Sequence, residues 1–305
     1  MMLAQGRVEG FAPAPGVGIN AEVAYMAMCL GVEGVDVAGV TGTAFRTHFF
    51  TPEVNLGMED PPAWTWSSLR HNNYGHHEAT AYYYGGDVIP VTDRNAVQNW
   101  KLLRFEIDAG RPATVFGLDP NPARPVLVTG YDLYKAPLRQ VLLLADGVEV
   151  DVTGAALGDV EIILVRRGPR VPYRPTDEDR RTDMFRWVVR HVRGEKELVY
   201  ETSRFYATGA SALRYAAGFV RSAQEADAYA FAVTFVSECV QARQLAAEFA
   251  GQHLGVEVGH AVSAELAELV AAASALEGRG FEVAAGHLEL AASASLKWAD
   301  LVETA

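Results

Sequence analysis

Pro169, Pro172 and Pro175 fall within the stretch from Arg166 to Pro175, and the chain reads differently on either side of them. Proline fixes its own φ and has no amide N–H, so neither a helix nor a central strand continues through three in such close succession. Upstream, short helical and strand patterns alternate. From residue 176 onward, apolar residues recur at threefold and fourfold spacing almost without interruption. The break predicts an α+β domain over 1–172 and an all-α helical bundle domain over 176–305.

In the first part, Ile19, Val23, Ala27 and Leu30 recur at helical spacing behind Asn20, a favoured N-cap residue. A second helix is expected from Asp93 to Ile107, with Val97, Trp100 and Leu103 on one face and Gly110 past its end. Strands are expected at Ala113–Phe116, Val126–Tyr131, Gln140–Leu144 and Val160–Arg166. Their unbroken Val, Leu and Ile runs imply burial on both faces. The turns between them are short, Asp119-Pro120-Asn121-Pro122 and Tyr134-Lys135-Ala136-Pro137, which favours antiparallel pairing over crossovers.

In the second part, Thr176-Asp177-Glu178-Asp179 reads as a capping-box variant ahead of a helix through Phe185, Val188 and Val192. Further helices are expected at about 209–223, 227–250, 260–277 and 281–303. They are rich in Ala, which has high helix propensity and lets helices approach closely. Glu238 and Cys239 sit on an apolar helix and read as structural, whereas Glu265, Glu268, Glu277, Glu282, Glu289 and Glu303 read as a solvated face.

The net charge of −12 over 305 residues argues against a nucleic-acid or anionic-membrane partner, since both require a positive face. No apolar run approaches the roughly 20 residues that span a bilayer, and residues 1–15 lack the apolar core of a secretory signal. Cys29 and Cys239 lie far apart in apolar periodic segments, which points to a reduced, cytoplasmic protein rather than a disulfide framework.

Gly110-Arg111-Pro112, then Val126-Leu127-Val128-Thr129-Gly130-Tyr131-Asp132, then Val141-Leu142-Leu143-Leu144-Ala145-Asp146 together resemble the second half of a papain-like cysteine peptidase domain. The resemblance is to bacterial leader peptidases and to butirosin-biosynthesis-H-type acyltransferases. Val40-Thr41-Gly42-Thr43-Ala44-Phe45-Arg46 resembles a Gly-x-Ala-Phe-Arg element of the latter group, and the helical second half resembles the all-α domain that follows there. The resemblance implies a helix packed on an antiparallel sheet. Its nucleophilic Cys, its His and its orienting Asp would fall at Asn20, Arg124 and Asp146 of this chain.

Two of these three groups cannot do the expected chemistry. Asn is a poor nucleophile, and Arg does not act as a base near neutral pH. The Gln that would support the oxyanion is replaced by Ala14. Cys29 is no substitute, because it lies roughly 13 Å down the same predicted helix from Asn20. The resemblance therefore implies a degenerate site, with an Arg124–Asp146 pair in place of the His–Asp contact.

Taken alone, Asn20 is most simply an N-cap, and Asp146 before Gly147 a turn residue. Thr43, Arg46, His48, Trp66 and Tyr131 are candidates for a ligand-binding cleft, since such sites are apolar and aromatic with a few placed polar groups. His76, His77 and Glu78 form the densest set of potential metal ligands, but without helical HExxH spacing a solvated loop is the simpler reading, and no cofactor is implied. The function expected is a pseudoenzyme that binds a peptide or small molecule. The rivals are an acyltransferase or amide hydrolase using Thr41, Thr43, His48, His76 or His77, and a dimeric scaffold joined by its Ala-rich helices.

Overall fold

Asn95 caps the first long helix among the described residues. Its Oδ1 accepts from the Gln98 amide at 3.0 Å, and its own amide donates to Gln98 Oε1 at 3.1 Å, a complete capping box. Helix α1 therefore spans Ala96–Asp108, starting three residues later than Asp93 would place it. Val97, expected on the buried face, is 62 % exposed, and the buried face is Asn99, Trp100, Leu103, Glu106 and Ile107. Gly110, at φ +74°, closes the helix with its amide on the Ile107 carbonyl, followed by Arg111 N–H on the Glu106 carbonyl.

The structure is a computed structural model and describes residues 5–11, 25, 28–30, 49–50, 63–64, 86–91, 94–118, 125–133, 139–153, 156–158, 160–167, 185–186, 188–194, 196–199 and 204–304. The chain is α+β and divides into two compact units. One comprises Met1–Glu33 with Tyr84–Tyr173, the other Gly34–Tyr83 with Arg174–Ala305. Phe49–Phe50 and Ala63–Trp64, read from sequence as part of the first domain, form one sheet with Arg204–Thr208 of the C-terminal chain.

The first unit holds a seven-stranded antiparallel sheet. Its strands are β1 (Gln5–Arg7), β4 (Gly86–Val91), β5 (Ala113–Phe116), β6 (Val126–Asp132), β7 (Val141–Leu144), β8 (Glu149–Asp151) and β9 (Glu161–Arg167), with β2 (Phe49–Phe50) and β3 (Ala63–Trp64) belonging to the second unit. The order is β4-β9-β5-β6-β7-β8, and β1 pairs with the far end of β6. One side of β6 is shared: Val126 to Val128 pair with β5, and Gly130 to Asp132 pair with β1. At the changeover a side chain on Gly130 would put its Cβ 2.7 Å from the Gly6 carbonyl oxygen, so the β1 backbone admits only glycine there. β5 and β6 are buried throughout, as their continuous apolar sequences require. Trp100, Leu103 and Ile107 of α1 share the core with Val115, Val128, Tyr131, Leu142 and Ile162 of the sheet.

The second unit contains a four-stranded antiparallel sheet in the order β10-β11-β2-β3, where β10 is Lys196–Val199 and β11 is Arg204–Thr208. This hairpin interrupts the region read as purely helical. Four helices follow: α2 (Gly209–Ser222), α3 (Ala226–His253), α4 (Val256–Glu277) and α5 (Phe281–Thr304). Their core combines Leu213, Phe235, Val236, Leu269 and Leu288 with many buried alanines. Small residues bring helices close: a Cβ on Gly259 of α4 would lie 2.8 Å from Gly251 Cα of α3.

One charged group sits inside this bundle. Arg243, Glu265 and Trp298 are fully buried, with Arg243 Nε 2.7 Å from Glu265 Oε1. Trp298 Nε1 donates to Glu265 Oε2 at 2.5 Å, and the Arg243 guanidinium lies 5.5 Å from the Trp298 ring centre. Glu265 is thus a core residue and not part of a solvated face. Of the other glutamates of that set, Glu282 and Glu289 pair with Arg221 and Glu303 with Arg193, Glu268 lies 2.7 Å from His287 Nδ1, and Glu277 is exposed. Glu238 and Cys239 are buried.

Candidate functional site

The resemblance directs attention to the end of the sheet where β6 begins and β7 stops. The two strands are antiparallel, with Val128 opposite Leu144, and beyond that pair the Ala145 amide donates to the Leu127 carbonyl at 2.9 Å. Residues 125–127 and 145–146 are therefore neighbours at one end of the sheet. Pro125 and Val126 are buried there, and Asp146 is exposed.

Asp146 has a local role in the hairpin joining β7 to β8. Its Oδ1 accepts from the Val148 amide at 3.0 Å, while the Gly147 amide donates to the Leu144 carbonyl at 2.9 Å. Gly147 adopts φ +82°, the left-handed conformation that this tight turn requires. The turn leaves Asp146 Oδ2 directed to no partner within the hairpin, and an ionised carboxylate can accept on both oxygens.

Tyr131 lies at the opposite end of β6 and is a core residue, 1 % exposed. Its hydroxyl donates to Asp108 Oδ1 at 2.6 Å. Trp100 meets it edge-to-face, and the Arg104 guanidinium stands 4.9 Å from its ring centre. Burial, followed by the hydrogen bond to Asp108, raises the phenol above its usual range. Beneath the ring runs Gly6 of β1, whose Cβ would fall 2.5 Å from Tyr131 Cε1. Tyr131 therefore anchors β1 and α1 to the sheet and is not placed to line a cleft.

A second polar cluster, absent from the sequence reading, joins α1 to the sheet. Glu106, 1 % exposed, holds Arg111 Nε at 2.5 Å on one oxygen and the half-exposed Arg166 of β9 on the other. Arg111 belongs to the Gly-Arg-Pro element that carries part of the resemblance, so its role here is to neutralise a buried carboxylate. A signal for it exists in the sequence: Glu106 sits three residues after Leu103 and one before Ile107, inside the apolar stripe.

Of the residues expected at the site, Asn20, Arg124, Thr43, Arg46, His48 and Trp66 lie outside the described residues, as do His76, His77 and Glu78. Among the described residues, no group of three His, Cys, Asp or Glu side chains could hold a metal ion, and no helix is long and apolar enough to cross a membrane. Cys29 is described: it is half-buried within a helical segment, and burial pushes its thiol up to about 12. A thiol so shifted is almost wholly protonated near neutral pH and makes a poor nucleophile. Burial raises Cys239 as well.

No protein-family model and no curated protein sequence matches this chain.

Proposed function

We propose that this chain is a bacterial, cytoplasmic protein with a papain-like, butirosin-H-like N-terminal domain that binds a peptide or small molecule without thiol chemistry. The observation that supports this reading is the pairing of β6 with β7. A papain-like site needs a base at the start of one strand and an orienting carboxylate at the end of its antiparallel neighbour. Arg124 immediately precedes buried Pro125 at the start of β6, and Asp146 follows β7 at the same end of the sheet. Guanidinium and carboxamide in place of imidazole and thiol leave a site able to bind a polar group but not to attack it.

The reading is tested by restoring the missing groups. In the Asn20→Cys/Arg124→His variant, iodoacetamide labelling of the introduced thiol followed against pH should report a thiolate formed well below pH 7, as imidazole-paired thiols do. The Asn20→Cys single variant should titrate near pH 8.5. Identical titrations in both variants would show that the two positions do not meet, and the site assignment would fall. A complementary assay measures hydrolysis of peptide amides and acyl thioesters by the native protein. Any turnover that Asn20→Ala lowers by more than about a hundredfold, ~2.7 kcal/mol of barrier, would overturn the pseudoenzyme reading.

A further inference from the structure

One cation neutralises a buried carboxylate, and Glu106 has two. Arg111 Nε lies 2.5 Å from one of its oxygens and Arg166 holds the other, so two guanidiniums against one carboxylate leave a surplus of positive charge. The β5–β9 ladder makes the arginines neighbours. Thr114 stands opposite Ile163, and the same register carried past the start of β5 sets Arg111 level with Arg166, at the end of the sheet away from Asp146. Sharing one carboxylate keeps the two bonded nitrogens within about 7 Å of each other. Most of each guanidinium is unused. Arg111 bonds through Nε and Arg166 through one terminal nitrogen, and among the described residues both pair with Glu106 alone. Arg166 Nε is buried without an acceptor, whereas the other terminal nitrogens are open to water on side chains 34 % and 36 % exposed. The Arg111 guanidinium also lies 5.8 Å from the ring centre of Phe105, which is 60 % exposed on α1, and exposed Lys101 precedes that ring by one turn. Asp87 stands opposite Arg166 on β4, on the far side of β9 from Arg111.

We propose that Arg111 and Arg166 bind the phosphate group of a small phosphomonoester, whose organic part lies against the Phe105 ring. A phosphate spans two guanidiniums at this separation, because its oxygens accept from both at about 2.8 Å. Guanidinium suits the task, being planar, always charged and only partly engaged by Glu106. Charge decides between oxyanions. A carboxylate supplies one negative charge, whereas a phosphomonoester carries about −1.5 to −2 near pH 7 and matches the surplus of the arginine pair together with Lys101. Glu106 holds the two cations in place from beneath and leaves their outer edges to the ligand. An exposed aromatic ring beside placed charges then gives the ligand's apolar part a surface to cover.

Titration of the full-length chain with phenyl phosphate in dilute buffer, followed by proton–nitrogen NMR spectra, tests the proposal. Saturable shifts with a dissociation constant of about 1 mM or tighter are expected. Inorganic phosphate has nothing to lay on Phe105 and should bind at least about fivefold more weakly. Arg111→Gln and Arg166→Gln should each weaken phenyl phosphate binding by about tenfold or more. Circular dichroism should not change, because the remaining arginine still neutralises Glu106. Asp87→Asn removes the carboxylate across the ladder from Arg166 and should tighten binding. Arg139→Gln, at the surface pair with Asp151, should leave it as it was. Absence of saturation by about 20 mM, affinity unchanged in both variants of the pair, or an equal loss in Arg139→Gln would each overturn the proposal. So would equal affinity for the two phosphates. Unfolding of both Arg111→Gln and Arg166→Gln would overturn it too, since Glu106 would then need both cations for the fold.

Discussion

Replacing Glu265 by alanine should cost the helical unit a large share of its stability, and the structure sets the size of the loss. Glu265 is fully buried and serves two partners, Arg243 at 2.7 Å and the Trp298 indole N–H at 2.5 Å. Removing it takes the carboxylate at 2.7 Å from the fully buried Arg243 guanidinium, and breaking a buried pair in this way costs about 3–5 kcal/mol. Loss of the indole N–H bond to Glu265 Oε2 adds about 1–3 kcal/mol, although the two penalties share one cavity and do not simply add. Alanine returns about 0.5 kcal/mol in helix propensity. The net expectation is a loss of about 4–5 kcal/mol, roughly a quarter or more of the ~5–15 kcal/mol that holds a typical domain together.

Urea unfolding monitored at 222 nm measures it, urea being preferred because it does not screen charges. The decisive comparison is the double variant Arg243→Met/Glu265→Leu. It removes both charges of the pair together, takes one acceptor from the indole, and should cost about 1–3 kcal/mol, less than Glu265→Ala alone. Glu265→Ala within about 1 kcal/mol of the native protein, or a double variant as costly as the two single changes summed, would refute the argument that the pair is mutually dependent.

Three further outcomes follow from other contacts. Gly259→Ala should destabilise the protein by about 1 kcal/mol or more, because its Cβ would meet Gly251 Cα at 2.8 Å, whereas Gly218→Ala on α2 meets nothing within 4 Å and should stabilise by about 0.5–1 kcal/mol. Equal effects in thermal melts would show that the close approach of α3 and α4 is not tight. Cys29, with its thiol pushed up to about 12, should react with iodoacetamide at pH 8 roughly a thousandfold more slowly than an unhindered cysteine, and a free-thiol rate by intact mass would contradict its burial. Tyr131 is raised above its ordinary value in the folded state, so as pH climbs past about 10 the unfolded chain loses its phenol proton first and stability drains away. The stability advantage of the native protein over Tyr131→Phe should therefore shrink between pH 9 and 11; a constant difference would mean that the phenol is not held by burial and Asp108.

The strands visible in sequence are those whose burial leaves a local trace. β5, β6, β7 and β9 are continuous apolar runs because neighbouring strands flank them and both faces are covered. β1, β4 and β8 leave no such trace, and each occupies an outer position in the sheet. β8 carries Glu149 and Asp151, β4 contains Pro90, and β1 is Gln5-Gly6-Arg7. Edge strands tolerate charge and proline because one side is free of a partner, so they look like loops until their long-range partner is known. The hairpin β10–β11 is hidden for a related reason, since it pairs with β2, more than a hundred residues away in sequence. Helix α4 teaches the converse. Val258, Val262, Glu265, Leu269, Ala272 and Leu276 are spaced alternately by four and three residues, so the pattern itself places Glu265 in the core. Counting it among the surface glutamates gives residue type more weight than position.

The candidate site is less legible because its parts come from separate strands, and nothing in sequence spacing fixes how strands pair. Asp146 illustrates the point. Asp-Gly after an apolar run is sufficient reason for a hairpin turn, and the structure assigns it that task through Val148. The turn uses Oδ1 alone, so it does not compete with a pairing made through Oδ2. Under the proposed reading, the residue that shapes the hairpin at the end of β7 would also supply the carboxylate of the degenerate site. Loss of the thiol and the imidazole would therefore leave Asp146 still required by the fold, and its presence in the sequence is no argument for retained catalysis.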